Sequence, residues 1–86
     1  MKKILIYSSN ICPYCLSAKN LLKNLDLSFQ EKCIDNSSEI KQEMLKKSNG
    51  KKTVPQIFFG EFHVGGYDDL EVLYKKDEIT KFLNEN

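Results

Sequence analysis

The sequence predicts an α/β fold: a four-stranded mixed sheet flanked by helices, in the order β-α-β-α-β-β-α. Three observations carry this. Along the chain, apolar residues switch between short continuous runs and a 3.6-residue period. The first two strands are separated by a helical stretch, so they should be parallel and joined by a right-handed crossover. The last two are separated by only Gly60-Glu61, a hairpin signal that makes them antiparallel.

Ile4-Leu5-Ile6-Tyr7 is a continuous β-rich run, as expected of a strand buried on both faces. Ala18, Leu21, Leu22 and Leu25 then recur at i, i+3, i+4 and i+7. Lys19, Asn20, Lys23 and Asn24 fall between them, which is the pattern of an amphipathic helix. Pro13 suits the first helical position, where its missing N–H costs nothing. Cys12 therefore stands at or just before the helix start, and Cys15 in the first turn. A second strand is expected from Ser28 to Ile34, with an imperfect alternation that leaves its register loose. Asn36 and Glu39 have capping-box spacing and predict a helix through Ile40, Met44 and Leu45. Asn49-Gly50 stops it, and Lys46 and Lys47 suit the negative end of its dipole. Gln56 to Phe59 and Phe62 to Val64 are the hairpin strands. Gly65-Gly66 leads into a third helix, with Asp68 as cap, Glu71 three residues on, and Leu70, Leu73 and Tyr74 as its stripe. Ile79, Phe82 and Leu83 resume that stripe as a short terminal helix. This is the thioredoxin-like plan.

Eighty-six residues are expected to form one domain, 1–86. With 41% apolar and 29% charged residues, the composition fits a folded chain with one modest core. Thirteen lysines against twelve acids leave a net charge of +1, which excludes a broad electrostatic footprint for nucleic acid or an anionic membrane. Arginine is absent, so a carboxylate or phosphate must be gripped by lysines, amides or backbone N–H groups. The longest aliphatic and aromatic run, Ile4 to Tyr7, is far short of the roughly 20 residues of a membrane helix. The segment after Met1-Lys2-Lys3 is also too short for a secretory signal. Three cysteines is an odd count, a poor basis for a secreted disulfide framework. A monomer in the reducing cytoplasm is expected.

Cys12-Pro13-Tyr14-Cys15 places two thiols at a helix N-terminus directly after a buried strand. Unpaired N–H groups and the helix dipole there favour negative charge, and the thiolate is the attacking species in disulfide exchange. Cys12 is expected to be the nucleophile and Cys15, pointing more toward the helix body, the resolving thiol. By count, Cys12, Cys15, Cys33 and His63 could also make a Cys₃His zinc set. Their spacing, without a second close pair, favours redox chemistry and no metal. Cys33 reads as a structural strand residue, with a regulatory disulfide as the sharper alternative. His63 reads as an exposed strand residue with no catalytic role.

Thr53-Val54-Pro55 precedes the third strand. It is either a rigid start to that strand or, if the Val54–Pro55 bond is cis, a backbone edge turned outward to pair with an extended peptide. In Gly65-Gly66-Tyr67-Asp68, Asp68 either caps the helix or meets an ammonium group beside N–H groups suited to a carboxylate. The γ-glutamyl end of glutathione carries that pair. Lys51 and Lys52 are either solvated or neutralise a second carboxylate.

Ile6-Tyr7, Cys12-Pro13-Tyr14-Cys15, Thr53-Val54-Pro55-Gln56 and Gly65-Gly66-Tyr67-Asp68-Asp69-Leu70 follow one another at the spacing of one family. Across nearly its whole length the chain resembles glutaredoxins, the small bacterial dithiol type. The resemblance implies a thioredoxin-like fold, a cis Val54–Pro55 bond and a glutathione groove. It implies that Val54 pairs with the cysteinyl backbone, and that Tyr67 and Asp68 hold the γ-glutamyl end. Gln42, Lys51 and Lys52 would approach the glycine carboxylate, and Tyr14, Thr53, Pro55 and Gly66 complete the groove. Ser9 stands where many relatives carry a lysine, and Tyr67 where many carry a cysteine. The implied activity is glutathione-dependent reduction of protein disulfides and of protein–glutathione mixed disulfides. Glutathione is then the reductant, no cofactor is tightly bound, and ribonucleotide reductase is a plausible client. The rival readings are a redoxin fed by thioredoxin reductase, and an iron–sulfur or zinc carrier.

Overall fold

A computed structural model describes residues 1–85. Strand β1 (Ile4–Ser8) lies inside a four-stranded sheet of order β2-β1-β3-β4, where β2 is Gln30–Cys33, β3 is Gln56–Phe59 and β4 is Phe62–Gly65. β1 is parallel to β2 and antiparallel to β3, and β3 is antiparallel to β4. The helices are α1 (Pro13–Asn24), α2 (Ser38–Lys47), α3 (Tyr67–Lys75) and α4 (Ile79–Asn84). This is the mixed, helix-flanked sheet that the hydrophobic periods predict.

Because successive side chains of a strand point to opposite faces, β1 and β3 feed two cores. Ile4, Ile6, Ile57 and Phe59 pack with Ala18 and Leu22 of α1, Leu70 of α3 and Ile79 and Leu83 of α4. On the other face Tyr7 and Phe58 pack with Met44 of α2, and Val54 leans on the same cluster. That two-sided burial is why β1 reads as an unbroken apolar run. Polar ties close the second layer. The Tyr7 hydroxyl donates to Glu43 of α2, whose carboxylate also meets Lys32 of β2 at 2.8 Å. Among the described residues no helix is long and apolar enough to cross a membrane.

Three boundaries differ from the sequence reading. β2 is shorter than expected: its parallel pairing with β1 runs only from Leu5↔Gln30 to Ser8↔Cys33, where β1 ends. The α2 cap is Ser37 rather than Asn36: the Ser37 hydroxyl accepts from the Glu39 N–H at 3.1 Å. Asn36 is committed elsewhere, its N–H closing a turn onto the Cys33 carbonyl at 3.2 Å. Asp68 is likewise not the cap of α3. β4 runs on through Gly65, which moves the helix start so that Gly66 is the cap and Asp69 occupies the third helical position. The Asp69 carboxylate accepts from the Gly66 N–H at 3.0 Å, leaving Asp68 free to face the site.

Candidate active site

Cys12 is the N-cap of α1, with Pro13 immediately inside the helix. A residue before proline is pushed out of the helical region, and Cys12 is extended at φ −110°, ψ 107°. Its sulfur therefore folds back over the first turn and accepts the Cys15 N–H at 3.1 Å, as a capping oxygen would. The Cys12 thiol donates to the Val54 carbonyl at 3.5 Å. Cys15, one turn on, is 1% exposed. Burial first, and then its hydrogen bond with Cys12, push the Cys15 thiol up to about 12. Both cysteines are free thiols of different standing, one at the surface end of the helix and one in its body.

The loop ahead of Cys12 is tied to the end of β2. Ser9 Oγ and the Asn10 N–H both donate to Asp35 Oδ2 at 2.8 Å. Those bonds, the Asn10 N–H first, hold the Asp35 carboxyl below the usual carboxylate range. Ser9, which brings no charge, thus acts as an anchor of the loop. Cys33 lies at the same junction, its thiol donating to Asn10 Oδ1 at 3.6 Å. The zinc set counted from the sequence does not assemble. Among the described residues no three His, Cys, Asp or Glu side chains are arranged to hold a metal ion.

Beside Cys12 opens a cavity of about 340 Å³. Thr53, Val54 and Pro55 form one wall and Gly66, Tyr67 and Asp68 another, with Tyr14 and Lys51 at the rim. The Val54–Pro55 bond is cis. With the Val54 side chain against Tyr7, Met44 and Phe58, its carbonyl is left facing Cys12. Lys51 is held by Ser48, whose hydroxyl accepts the Lys51 N–H at 3.2 Å and donates to its carbonyl at 3.3 Å. The Tyr14 and Tyr67 rings stack with centroids 6.0 Å apart. Eight of the ten groove residues expected from sequence thus come together; Gln42, exposed on α2, and Lys52 lie outside the cavity wall. Sequence reasoning missed four lining residues: Gln56, His63, Gly65 and Asp69. His63 is half-buried rather than exposed, because its ring stacks on Phe58 at 4.6 Å and its Nε2 lies 2.7 Å from Gln56 Oε1. The pairing Phe58↔His63 across the hairpin was the available signal.

A strand that runs into a helix capped by one cysteine and burying a second defines a thiol–disulfide redox protein of thioredoxin-like fold. The glutaredoxin family model matches residues 4–64. Glutaredoxin 3 of Escherichia coli K12 is 48% identical over 83 residues, spanning 96% of this chain and 99% of that protein. The solution structure of a Brucella melitensis glutaredoxin superposes with a TM-score of 0.83 at 40% identity, over 96% of this chain and 89% of that one. A buckwheat glutaredoxin–glutathione complex gives 0.84 at 27% identity, over 95% and 76%. The chain belongs to the glutaredoxin family, the glutathione-dependent thiol–disulfide oxidoreductases, and carries a Cys-Pro-Tyr-Cys site.

Proposed function

We propose that this chain, acting as a single monomeric unit over 1–86 in the cytoplasm, uses glutathione to reduce protein–glutathione mixed disulfides and protein disulfides, and so carries electrons in cell redox homeostasis. The observation that carries the reading is the Cys12 sulfur capping α1 and meeting the carbonyl of Val54, a residue that lines the cavity. In a mixed disulfide, the Cys12 thiolate attacks the glutathione sulfur and the target leaves as a thiolate that takes up a proton. A second glutathione thiolate then attacks the sulfur of the bound glutathione. Oxidised glutathione departs and the Cys12 thiolate is restored. In a protein disulfide, Cys12 takes one target sulfur, and Cys15 then attacks Cys12, freeing the target and closing a Cys12–Cys15 disulfide. Two glutathiones reopen that disulfide. The Cys15 N–H, which donates to the Cys12 sulfur in the free dithiol, would stabilise the Cys12 thiolate as a backbone group needing no reorganisation.

Within the groove, Val54 is proposed to pair with the cysteinyl backbone of glutathione. Gly66, Tyr67 and Asp68 would receive the γ-glutamyl end, and Lys51, with Lys52 and Gln42 further out, the glycine carboxylate. Tyr14, Thr53 and Pro55 would line the path between. The buckwheat neighbour, solved with glutathione, supports a tripeptide in such a groove. Ribonucleotide reductase is a proposed client by family resemblance alone. The test is turnover coupled to glutathione and glutathione reductase, run beside thioredoxin reductase as the alternative donor. Cys12→Ser is expected to abolish turnover and Cys15→Ser to keep deglutathionylation. Turnover in Cys12→Ser, or a wild type reduced only by thioredoxin reductase, would refute the reading.

A further inference from the structure

One wall of the cavity is held by a buried polar chain that the exchange chemistry itself does not use. Gln56, the first residue of β3, is 3% exposed, and a buried amide must place both of its ends. Its Nε2 donates to the Thr53 carbonyl at 3.0 Å and to Thr53 Oγ1 at 3.1 Å. A carbonyl oxygen only accepts, so the amide orientation is fixed by Thr53, and Oε1 is the end that faces His63. Nε2 of His63, 2.7 Å away, must then carry the ring proton. The imidazole is clamped by its stack on Phe58, and burial holds its basicity below the ordinary histidine value. The chain of donors thus runs one way, from His63 through Gln56 to Thr53. Thr53 immediately precedes Val54, whose carbonyl faces the Cys12 sulfur.

We propose that His63 is a positioning residue of the exchange site, acting through Gln56 to hold the Thr53–Val54 backbone in the conformation that receives the substrate's peptide backbone. The inference deepens the glutathione reading and rests on it. His63 touches neither reacting sulfur. Its loss should therefore weaken binding of ground state and transition state alike, raising KM and sparing kcat. His63→Phe keeps the ring on Phe58 while leaving Gln56 Oε1 unpaired, so the amide is free to turn from Thr53. His63→Gln puts an amide Nε2 where the imidazole Nε2 stood and should restore the donor.

The test is steady-state kinetics on the mixed disulfide of glutathione and 2-mercaptoethanol, with glutathione reductase in excess. For H63F, KM is expected to rise about five- to tenfold, the effect of one buried hydrogen bond, with kcat changed less than about twofold. H63Q should return KM to within about twofold of wild type. An H63F variant with wild-type KM, a loss confined to kcat, or an H63Q variant as impaired as H63F overturns the inference. Nitrogen-15 NMR of the wild-type imidazole gives a second reading that does not depend on a folded variant. The Nε2–H form at neutral pH is required, and the Nδ1–H form overturns the inference. A wild type that does not turn over this substrate removes the glutathione reading and this inference together. A wild type that turns over beside an unaffected H63F removes the inference alone.

Discussion

The two cysteines differ most in what burial does to Cys15, and that difference sets a measurable pH dependence. Cys15 is raised from an ordinary 9.0 to about 12, first by burial and then by its hydrogen bond with Cys12. A rise of that size lowers the thiolate population at neutral pH about a thousandfold. With a Brønsted slope of about 0.4–0.5, the greater nucleophilicity of the more basic sulfur returns only about twentyfold. The net handicap of Cys15 as an attacking sulfur is thus about fiftyfold, before its proximity to Cys12 is counted in its favour. When Cys12 is tied up in a mixed disulfide it carries no charge, so its part of the shift disappears while the part due to burial remains. The resolving step should accordingly titrate above 9.0 and below about 12.

The assay starts from the Cys12–glutathione adduct of the protein, prepared at low pH and jumped to a series of pH values. Acid quench and separation then follow free glutathione, which Cys15 releases by attack on Cys12. The rate should climb about tenfold per pH unit from pH 6 and still be rising at pH 9, because only the thiolate attacks. In Cys15→Ser the adduct should persist, since the hydroxyl cannot resolve it while the residue-15 backbone N–H still caps the Cys12 sulfur. A plateau at or below pH 9 would mean that Cys15 titrates as an exposed thiol does, and the argument from burial would be wrong.

Two further outcomes are expected. Glu31 is held below its ordinary 4.5, first by the Lys19 ammonium at 2.9 Å and then by the Ser8 hydroxyl, so its folded form binds its proton less readily than the unfolded chain does. Its stabilising share is present above 4.5 and fades as pH falls through the folded value. The melting temperatures of wild type and Glu31→Gln should therefore differ at neutral pH and converge in acid, and parallel curves would refute the linkage. Gly65 has φ +117°, and a Cβ there would run into the Asp69 carboxylate that caps α3, whereas a Cβ on Gly66 meets only the Pro55 carbonyl at 3.6 Å. Gly65→Ala should cost about 2–4 kcal/mol, strain plus a lost cap, against about 1 kcal/mol or less for Gly66→Ala. Chemical denaturation measures both, and equal losses would show that the left-handed backbone at Gly65 is not under steric control.

What the sequence disclosed, and what it hid, divides by the range of the interactions that decide each feature. Ile4 to Tyr7, the Gly60-Glu61 turn and Ala18, Leu21 and Leu22 of the α1 stripe are set by neighbours within a few residues and lie where local reasoning puts them, whereas Leu25 is the exposed C-cap just past the helix. Cys12 and Cys15 were legible for the same reason, since Pro13 fixes the helix start between them. The errors sit where a distant partner chose between adjacent candidates. Asn36 and Ser37 are both good caps, and the Cys33 carbonyl at the end of β2 decided between them by taking the Asn36 N–H. Asp68 and Asp69 are both acids in a first turn, and one further residue of β4 decided which of them caps. From sequence His63 reads as an exposed strand residue, but Phe58 and Gln56, across the hairpin and at the start of its first strand, half-bury it. Gln42 and Lys52 came from the family resemblance, and the cavity wall itself does not include them.

The unequal standing of the two thiols follows from three residues of chain and one proline. On a helix, positions three apart share a face, so two helical cysteines at this spacing would both point the same way. Proline at 13 denies Cys12 the helical conformation, and its extended backbone turns the sulfur back over the first turn. Cys15 keeps helical geometry and is carried into the body of the protein beneath that turn. One sulfur is thereby left where a substrate disulfide can reach it from the cavity, and the other within reach of the first sulfur but screened from solvent. On the proposed mechanism, a buried resolving thiol is seldom ionised at neutral pH, so a mixed disulfide on Cys12 would outlast one facing an exposed thiol at position 15. On the same mechanism, that burial would shift the balance toward glutathione and the one-cysteine route, while the closeness of Cys15 to Cys12 works toward the two-cysteine route.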